Sequence, residues 1–437
     1  MDNLSGFEGL LREWILEEGM KPESLSEMEQ TIRESMKELG HVFLKLWLEF
    51  LSRSYTASEW DCPQCAEKAK YERHREASIR SMFGKVSYQR AVYVCGKCGN
   101  RHYPMDENLG LRPNEMSAEL ERLVAQVGVQ MPFAQASALF EELTLVSVSD
   151  QSIDKATQAY GEEVAVYEQE LHQSACDEAD EIAIIPLRLY GGRVQTRAAK
   201  GEAQPWRELK VGAWYQARGE APKSPDGEWR IQAYDIGYYA DICPAEDFGE
   251  IFWATGVARA AEHATELIMI GDGARWIWDL VDLHFPDAIQ IIDWFHAREY
   301  LMPVAKQAFN NKSQQIQWEA EMRDALWQGQ LDTVIATCQS LVHPDLPPED
   351  DLAQRAVTYY TNNRHRMNYP RYRAQGYQIG SGTIESAVKQ IASQRLKVSG
   401  ARWNVDSARS VAKARATFLS QQWHFFAQRR EMARRSA

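Results

Sequence analysis

The chain has 437 residues, 44% apolar and 25% charged, a profile that suits a globular protein with two or three hydrophobic cores and argues against a disordered or fibrous class. No apolar run approaches the ~18 residues of a membrane-spanning helix and no cleavable signal pattern opens the chain, so no membrane association and a cytoplasmic location are expected. The net charge of −13 speaks against a uniformly nucleic-acid-coating protein, yet residues 351–437 hold 16 Lys and Arg against 4 Asp and Glu. Such a basic region on an acidic body can bind phosphates locally or simply balance an acidic neighbour.

In chain order, residues 1–58 read as an N-terminal helical region. Ser26 and Glu29 have capping-box spacing, and Met28, Ile32, Met36, Leu39, Phe43, Leu46 and Phe50 follow in steps of three and four. That is the stripe of a core-packing helix, or of a dimerisation or docking helix. Residues 59–110 change character. Cys62-Pro63-Gln64-Cys65 and Cys95-Gly96-Lys97-Cys98 bracket a hairpin turning at Gly84-Lys85. Each CxxC puts two thiolates on one tight knuckle, and two knuckles close a tetrahedral four-sulfur site, so a zinc ribbon with structural Zn²⁺ is expected. His74 and His102 are left over and read as surface residues. The seven cysteines as a set fit a reducing compartment. Residues 111–175 read as helices whose spacing permits a helix-turn-helix, but the acidic last helix (Asp150, Asp154, Glu162, Glu163) favours packing.

Residues 176–437 alternate in type. Ile182–Leu189, Glu208–Gln216 and Arg230–Tyr239 read as hairpin-linked strands. They are followed by helix, buried strand (Leu267–Ile270), helix and buried strand (Ile289–Ile292). The result is a mixed five-stranded α/β sheet with the strand order of a ribonuclease-H-like domain. An all-helical insertion at about 297–365 follows, broken near Pro344–Pro348, and then a helix carrying Glu385. The fold class is thus multidomain α+β.

Three acidic positions attract attention. Asp272 follows an apolar strand between two glycines, Asp293-Trp294-Phe295-His296 follows a second, and Glu385 lies on a distant helix. Carboxylates at strand ends with a remote Glu can gather two divalent ions. Each has a plainer role: Asp272 and the Asp293/His296 pair can cap helices, and Glu385 alone is an ordinary helix residue. Where the first strand should supply another acid, the chain reads Leu189-Tyr190 just ahead of Gly191-Gly192, which reads as a turn. A neutral phenol with a pKa of ~10 is a poor substitute for a bridging carboxylate. Asp177, Glu178, Asp180 and Glu181 precede the strand and fall at its far end, and Asp235 is remote. Arg395, Lys397 and Arg402 are candidate phosphate contacts. Trp403, like Trp276 and Trp278, reads as core, with base stacking the other use of such a ring.

Several blocks taken in order resemble the ISKra group of insertion-sequence transposases within the Mutator-like DDE superfamily. They include Trp206-Arg207-Glu208-Leu209-Lys210-Val211-Gly212, Gly271-Asp272-Gly273-Ala274-Arg275-Trp276-Ile277-Trp278, Asp293 to Glu299, Tyr369 to Gly376, Gly380-Ser381-Gly382 and Gln394 to Trp403. The resemblance implies a ribonuclease-H-like catalytic domain, Asp272 as second catalytic Asp, Glu385 as catalytic Glu, and Asp293-x-x-His296 as the family's signature. Because that signature supplies no bridging carboxylate, Asp293 and His296 are read in a supporting rather than metal-ligating role. The first catalytic Asp falls on Tyr190. It further implies Mg²⁺ or Mn²⁺ if the enzyme is active, double-stranded DNA with terminal inverted repeats as partner, a homodimer, and a nucleoid-associated bacterial protein. The expectation is a DDE transposase by descent with an impaired metal site; the alternative is a domesticated, inactive DNA-binding protein acting as repressor or scaffold.

Overall fold

The computed structural model describes residues 24–177, 187–195, 206–220, 230–259, 264, 266–380 and 382–436. The chain divides into two compact units, one of Met1–Val124, Ser137–Ser149 and Arg429–Ala437, the other of Ala125–Ala136 and Asp150–Gln428. The stretch 111–175, read above as one helical region, contributes to both.

The first unit begins with helix α1, Leu25–Ser52, capped by Ser24, whose Oγ accepts from Glu27 N at 3.2 Å. The cap is Ser24 rather than Ser26, because Ser24-x-x-Glu27 offers the same spacing two residues earlier. The stripe read as core-packing or docking does not pack in this unit's core: Met28, Ile32, Met36, Phe43, Leu46 and Phe50 are 44–68% exposed. Leu44, Leu48 and Leu51 pack instead, with Ile79, Val86, Tyr88 and Met105. The helix carries two apolar faces, and periodicity alone does not say which one meets the sheet.

That sheet is antiparallel, with strands β1 (Glu59–Asp61), β2 (Lys68–Ser81), β3 (Gly84–Cys95) and β4 (Arg101–His102) side by side in chain order. The hairpin turns at Met82-Phe83, two residues earlier than expected, and Gly84 opens the return strand with φ +90°, a conformation that glycine adopts without steric cost. Both ends of the hairpin lead into cysteine knuckles.

The second unit holds a five-stranded sheet of β5 (Leu187–Gln195), β6 (Trp206–Glu220), β7 (Arg230–Asp241), β8 (Ile268–Gly271) and β9 (Ile289–Ile292), in the order β7–β6–β5–β8–β9. The three hairpin strands pair antiparallel, and β5–β8 and β8–β9 pair parallel. Residues of β6 alternate between two cores. Leu209, Val211, Ala213 and Tyr215 pack with Ile384, Ala387, Ile391 and Val411, while Trp214 packs with Phe248, Phe252, Ile277 and Trp278. Strand β5 continues through Gly191-Gly192, which is therefore not a turn; the expected strand residues 182–186 lie outside the described residues.

After β9 comes a short helix, α2 (Trp294–Glu299), and then further helices to Asn362, interrupted between Ser340 and Leu352, where the prolines deny the backbone its helical hydrogen bonds. Helix α3, Gly382–Val388, carries Glu385 and passes into a π-helical stretch, Lys389–Leu396. Helix α4, Val405–Leu419, then crosses the sheet face opposite Trp214, next to the long helix Asp150–Asp177. No helix among the described residues is long and apolar enough to cross a membrane.

Candidate functional site

In the first unit the two knuckles have matching geometry. Ala66 N donates to Cys62 O and Gly99 N to Cys95 O, each at 2.9 Å, and both Ala66 and Gly99 have positive φ. The turns bring the sulfurs of Cys62, Cys65, Cys95 and Cys98 within 4.8 Å of one another. The Cys62–Cys98 pair is 3.6 Å apart and Cys65–Cys95 3.5 Å. A tetrahedron with Zn–S bonds of ~2.3 Å has edges of ~3.8 Å, so this cluster can hold a structural metal such as zinc with little adjustment. Backbone N–H groups of Cys98 and Lys97 lower the Cys95 thiol to about 6. His102 is not a surface residue as expected. It is buried with Nε2 3.2 Å from Cys62 Sγ and Nδ1 3.9 Å from Glu107, the kind of support that orients a metal-bound thiolate.

In the second unit the strand register brings three positions into one row. The parallel pairs Leu187–Met269 and Arg188–Ile270 carry position 190 level with Asp272, and the pair Gly271–Ile292 carries Asp272 level with Asp293. On its other side Tyr190 pairs with Val211, whose core includes Ile384, the neighbour of Glu385.

Asp272 Oδ1 accepts from Ala274 N at 2.8 Å, and its backbone carbonyl accepts from the Tyr359 hydroxyl at 3.1 Å. Gly273 has φ +95°, and a Cβ there would lie 2.6 Å from the Tyr359 ring, so the turn that holds Asp272 requires glycine. Burial pushes the Asp272 carboxyl above its ordinary value and the Asp293 charge adds to this, while Ala274 N–H and His296 pull it down. A cavity of about 500 Å³ opens beside it, lined among others by His296, Glu299, Tyr300, Arg355 and Tyr359.

Asp293 caps α2. Its Oδ1 accepts from Phe295 N at 2.7 Å and His296 N at 3.0 Å. The side chain is wholly buried, and Oδ2 has no hydrogen-bond partner among the described residues. His296 Nδ1 lies 3.1 Å from Glu299 Oε2. The segment leading to α3 is tied here by Trp294 N donating to Ile379 O at 2.8 Å. One ligand atom each from Asp293, His296 and Glu385 then falls within 4.8 Å of the other two. The sequence paired Asp272 with Glu385 and gave Asp293 and His296 a supporting role; Asp272 is not in this group.

Of the expected DNA contacts, Lys397 and Arg402 are exposed. Arg395 is not: it is 1% exposed, donates from Nε to Gly128 O at 2.9 Å and lies against the rings of Phe133 and Trp403. Burial there offers its guanidinium to no phosphate. Trp403 is half-buried, its indole N–H donating to Leu396 O. Sequence reasoning missed Glu299, three residues from His296 and so on its helical face. It also missed the buried cluster of Glu168, Asp241 and Lys413, since nothing local marks a pairing across hundreds of residues. No protein-family model matches the chain, and no curated protein matches it.

Proposed function

We propose that the chain is a DDE-type DNA transposase by descent, built for metal-dependent strand cleavage and transfer at insertion-sequence ends, with activity impaired at position 190. The observation that carries this is the row of positions 190, 272 and 293 across the strand order β7–β6–β5–β8–β9, with the Glu385 helix packed beside it. That strand order is the one a ribonuclease-H-like domain uses. Divalent ions at such a site supply activation of the attacking oxygen and stabilisation of the leaving one. Tyr190 stands where a bridging carboxylate is needed, so the row supplies one acid fewer than the chemistry requires. Exposed Lys397 and Arg402 are suited to hold DNA phosphates. The four-cysteine cluster is read as structural zinc in a ribbon, the protein as a homodimer because two element ends need two sites, and its place as the bacterial nucleoid.

Tyr190 also favours a second reading, a domesticated DNA-binding protein acting as repressor or scaffold without cleavage. Nicking of a plasmid that carries the genomic DNA from both sides of this reading frame, with Mg²⁺ or Mn²⁺, separates the two. Tyr190→Asp is expected to raise nicking at least tenfold over the natural chain. Equal nicking by both proteins would remove the impaired site; no salt-sensitive binding by either would remove DNA as the partner.

A further inference from the structure

We infer that a single first-row divalent ion of the Mn²⁺ kind is bound by Asp293, His296 and Glu385, so that the metal site is displaced from the Asp272–Glu385 pair that the proposed descent implies. The inference deepens the proposed function but stands on different observations. The pair named by descent does not form the compact group, whereas the ligand atoms of Asp293, His296 and Glu385 lie within 4.8 Å of one another. Ligands at ~2.1 Å from one ion are ~3–4 Å apart, a rotamer adjustment from this arrangement.

Asp293 supplies the second, independent sign. Its two oxygens are differently used: Oδ1 takes two backbone N–H groups of α2, and Oδ2 is buried with no hydrogen-bond partner among the described residues. Burying a carboxylate oxygen without a partner costs free energy, and a cation at Oδ2 removes that cost. The helix cap fixes the carboxylate, so the oxygen is held in place before any ion arrives. His296 belongs to the same turn, and Glu299 at Nδ1 forms the carboxylate–imidazole pairing that fixes the tautomer of a metal-bound histidine, presenting Nε2 to the ion. Two carboxylates with one imidazole suit Mn²⁺ better than Mg²⁺, which prefers oxygen alone. One ion held this way leaves the two-ion chemistry incomplete, consistent with impairment at position 190.

The test is Mn²⁺ titration of the full-length, zinc-loaded protein, followed by electron paramagnetic resonance of free Mn²⁺. One Mn²⁺ per chain is expected. Asp293→Asn keeps a good helix cap while removing the charge, and should weaken binding at least tenfold with an unchanged melting temperature. Glu385→Gln should do the same, and Asp272→Asn should change the affinity less than threefold. Absence of Mn²⁺ binding, or loss on Asp272→Asn with none on Asp293→Asn, overturns the inference. Mn²⁺ binding by a protein that shows no salt-sensitive binding to DNA would count against the proposed function alone, and Mg²⁺-dependent cleavage without Mn²⁺ binding against this inference alone.

Discussion

Lys413 Nζ meets Asp241 Oδ2 at 2.7 Å, with each side chain only 2% exposed. Glu168 contacts the same ammonium, and Arg409 Nη2 donates to Asp241 Oδ2 at 3.0 Å. Two buried carboxylates are thus neutralised from α4. Replacing Lys413 by Met leaves both facing each other without their shared cation, at a cost of about 3–5 kcal/mol. Urea unfolding should register that loss. A change under about 1 kcal/mol would mean that water reaches the cluster.

The same cluster sets a pH dependence. Burial pushes Glu168 up to about 7, with Lys413 pulling the other way. An acid whose folded pKa lies above its unfolded value binds protons more tightly in the folded state, so its contribution falls as pH rises from about 4.5 to about 7. Asp241 behaves oppositely. Burial alone would raise it, but Lys413 and Arg409 outweigh burial and hold it low, so its contribution is present at neutral pH and is lost only in acid below its ordinary value. Glu168→Gln should therefore flatten the fall in stability between about pH 4.5 and 7, by on the order of 1–3 kcal/mol across the window. Parallel curves for the two proteins would contradict this assignment.

Metal removal should act on the first unit. With four sulfurs closing the site, one Zn²⁺ per chain is expected on elemental analysis, and a strong chelator should melt the hairpin. Cys65→Ser should lose the metal. His102→Ala keeps all four sulfurs and should retain zinc with about 10- to 100-fold weaker affinity. Full zinc retention by Cys65→Ser would point to a different ligand set.

Much of this was legible in the sequence, for identifiable reasons. The CxxC pairs carry their chemistry in their spacing, and the buried strands ending at Gly271 and Ile292 announce themselves as short apolar runs before Asp272 and Asp293. What stayed hidden depends on three dimensions. The outward stripe of α1 and the inward Leu44/Leu48/Leu51 face have the same period, so only packing distinguishes them. Gly191-Gly192 looks like a turn, yet pairs with Lys210 and Leu209 inside the sheet. The basic count of residues 351–437 suggested a phosphate surface, but Arg366 lies over Trp278, Arg373 over Trp327, and Lys413 within the acidic cluster. A charge count cannot separate cations that neutralise the interior from those that face water.

That separation gives a last prediction, on DNA binding. Lys397 and Arg402 are exposed, whereas Arg395 is sealed between Phe133 and Trp403, and burial lowers its guanidinium to about 10. If the chain binds terminal-repeat DNA, each exposed cation that touches a phosphate contributes about one to the slope of log affinity against log salt. Lys397→Ala and Arg402→Ala should each reduce that slope by about one and leave urea stability unchanged within ~0.5 kcal/mol. Arg395→Ala should leave the slope alone and cost about 2–4 kcal/mol of stability, because it opens a cavity between two rings and strands the Gly128 carbonyl. A reduced slope with full stability in Arg395→Ala would instead place that side chain on the DNA, and would require the segment from Lys389 to Trp403 to rearrange when DNA binds.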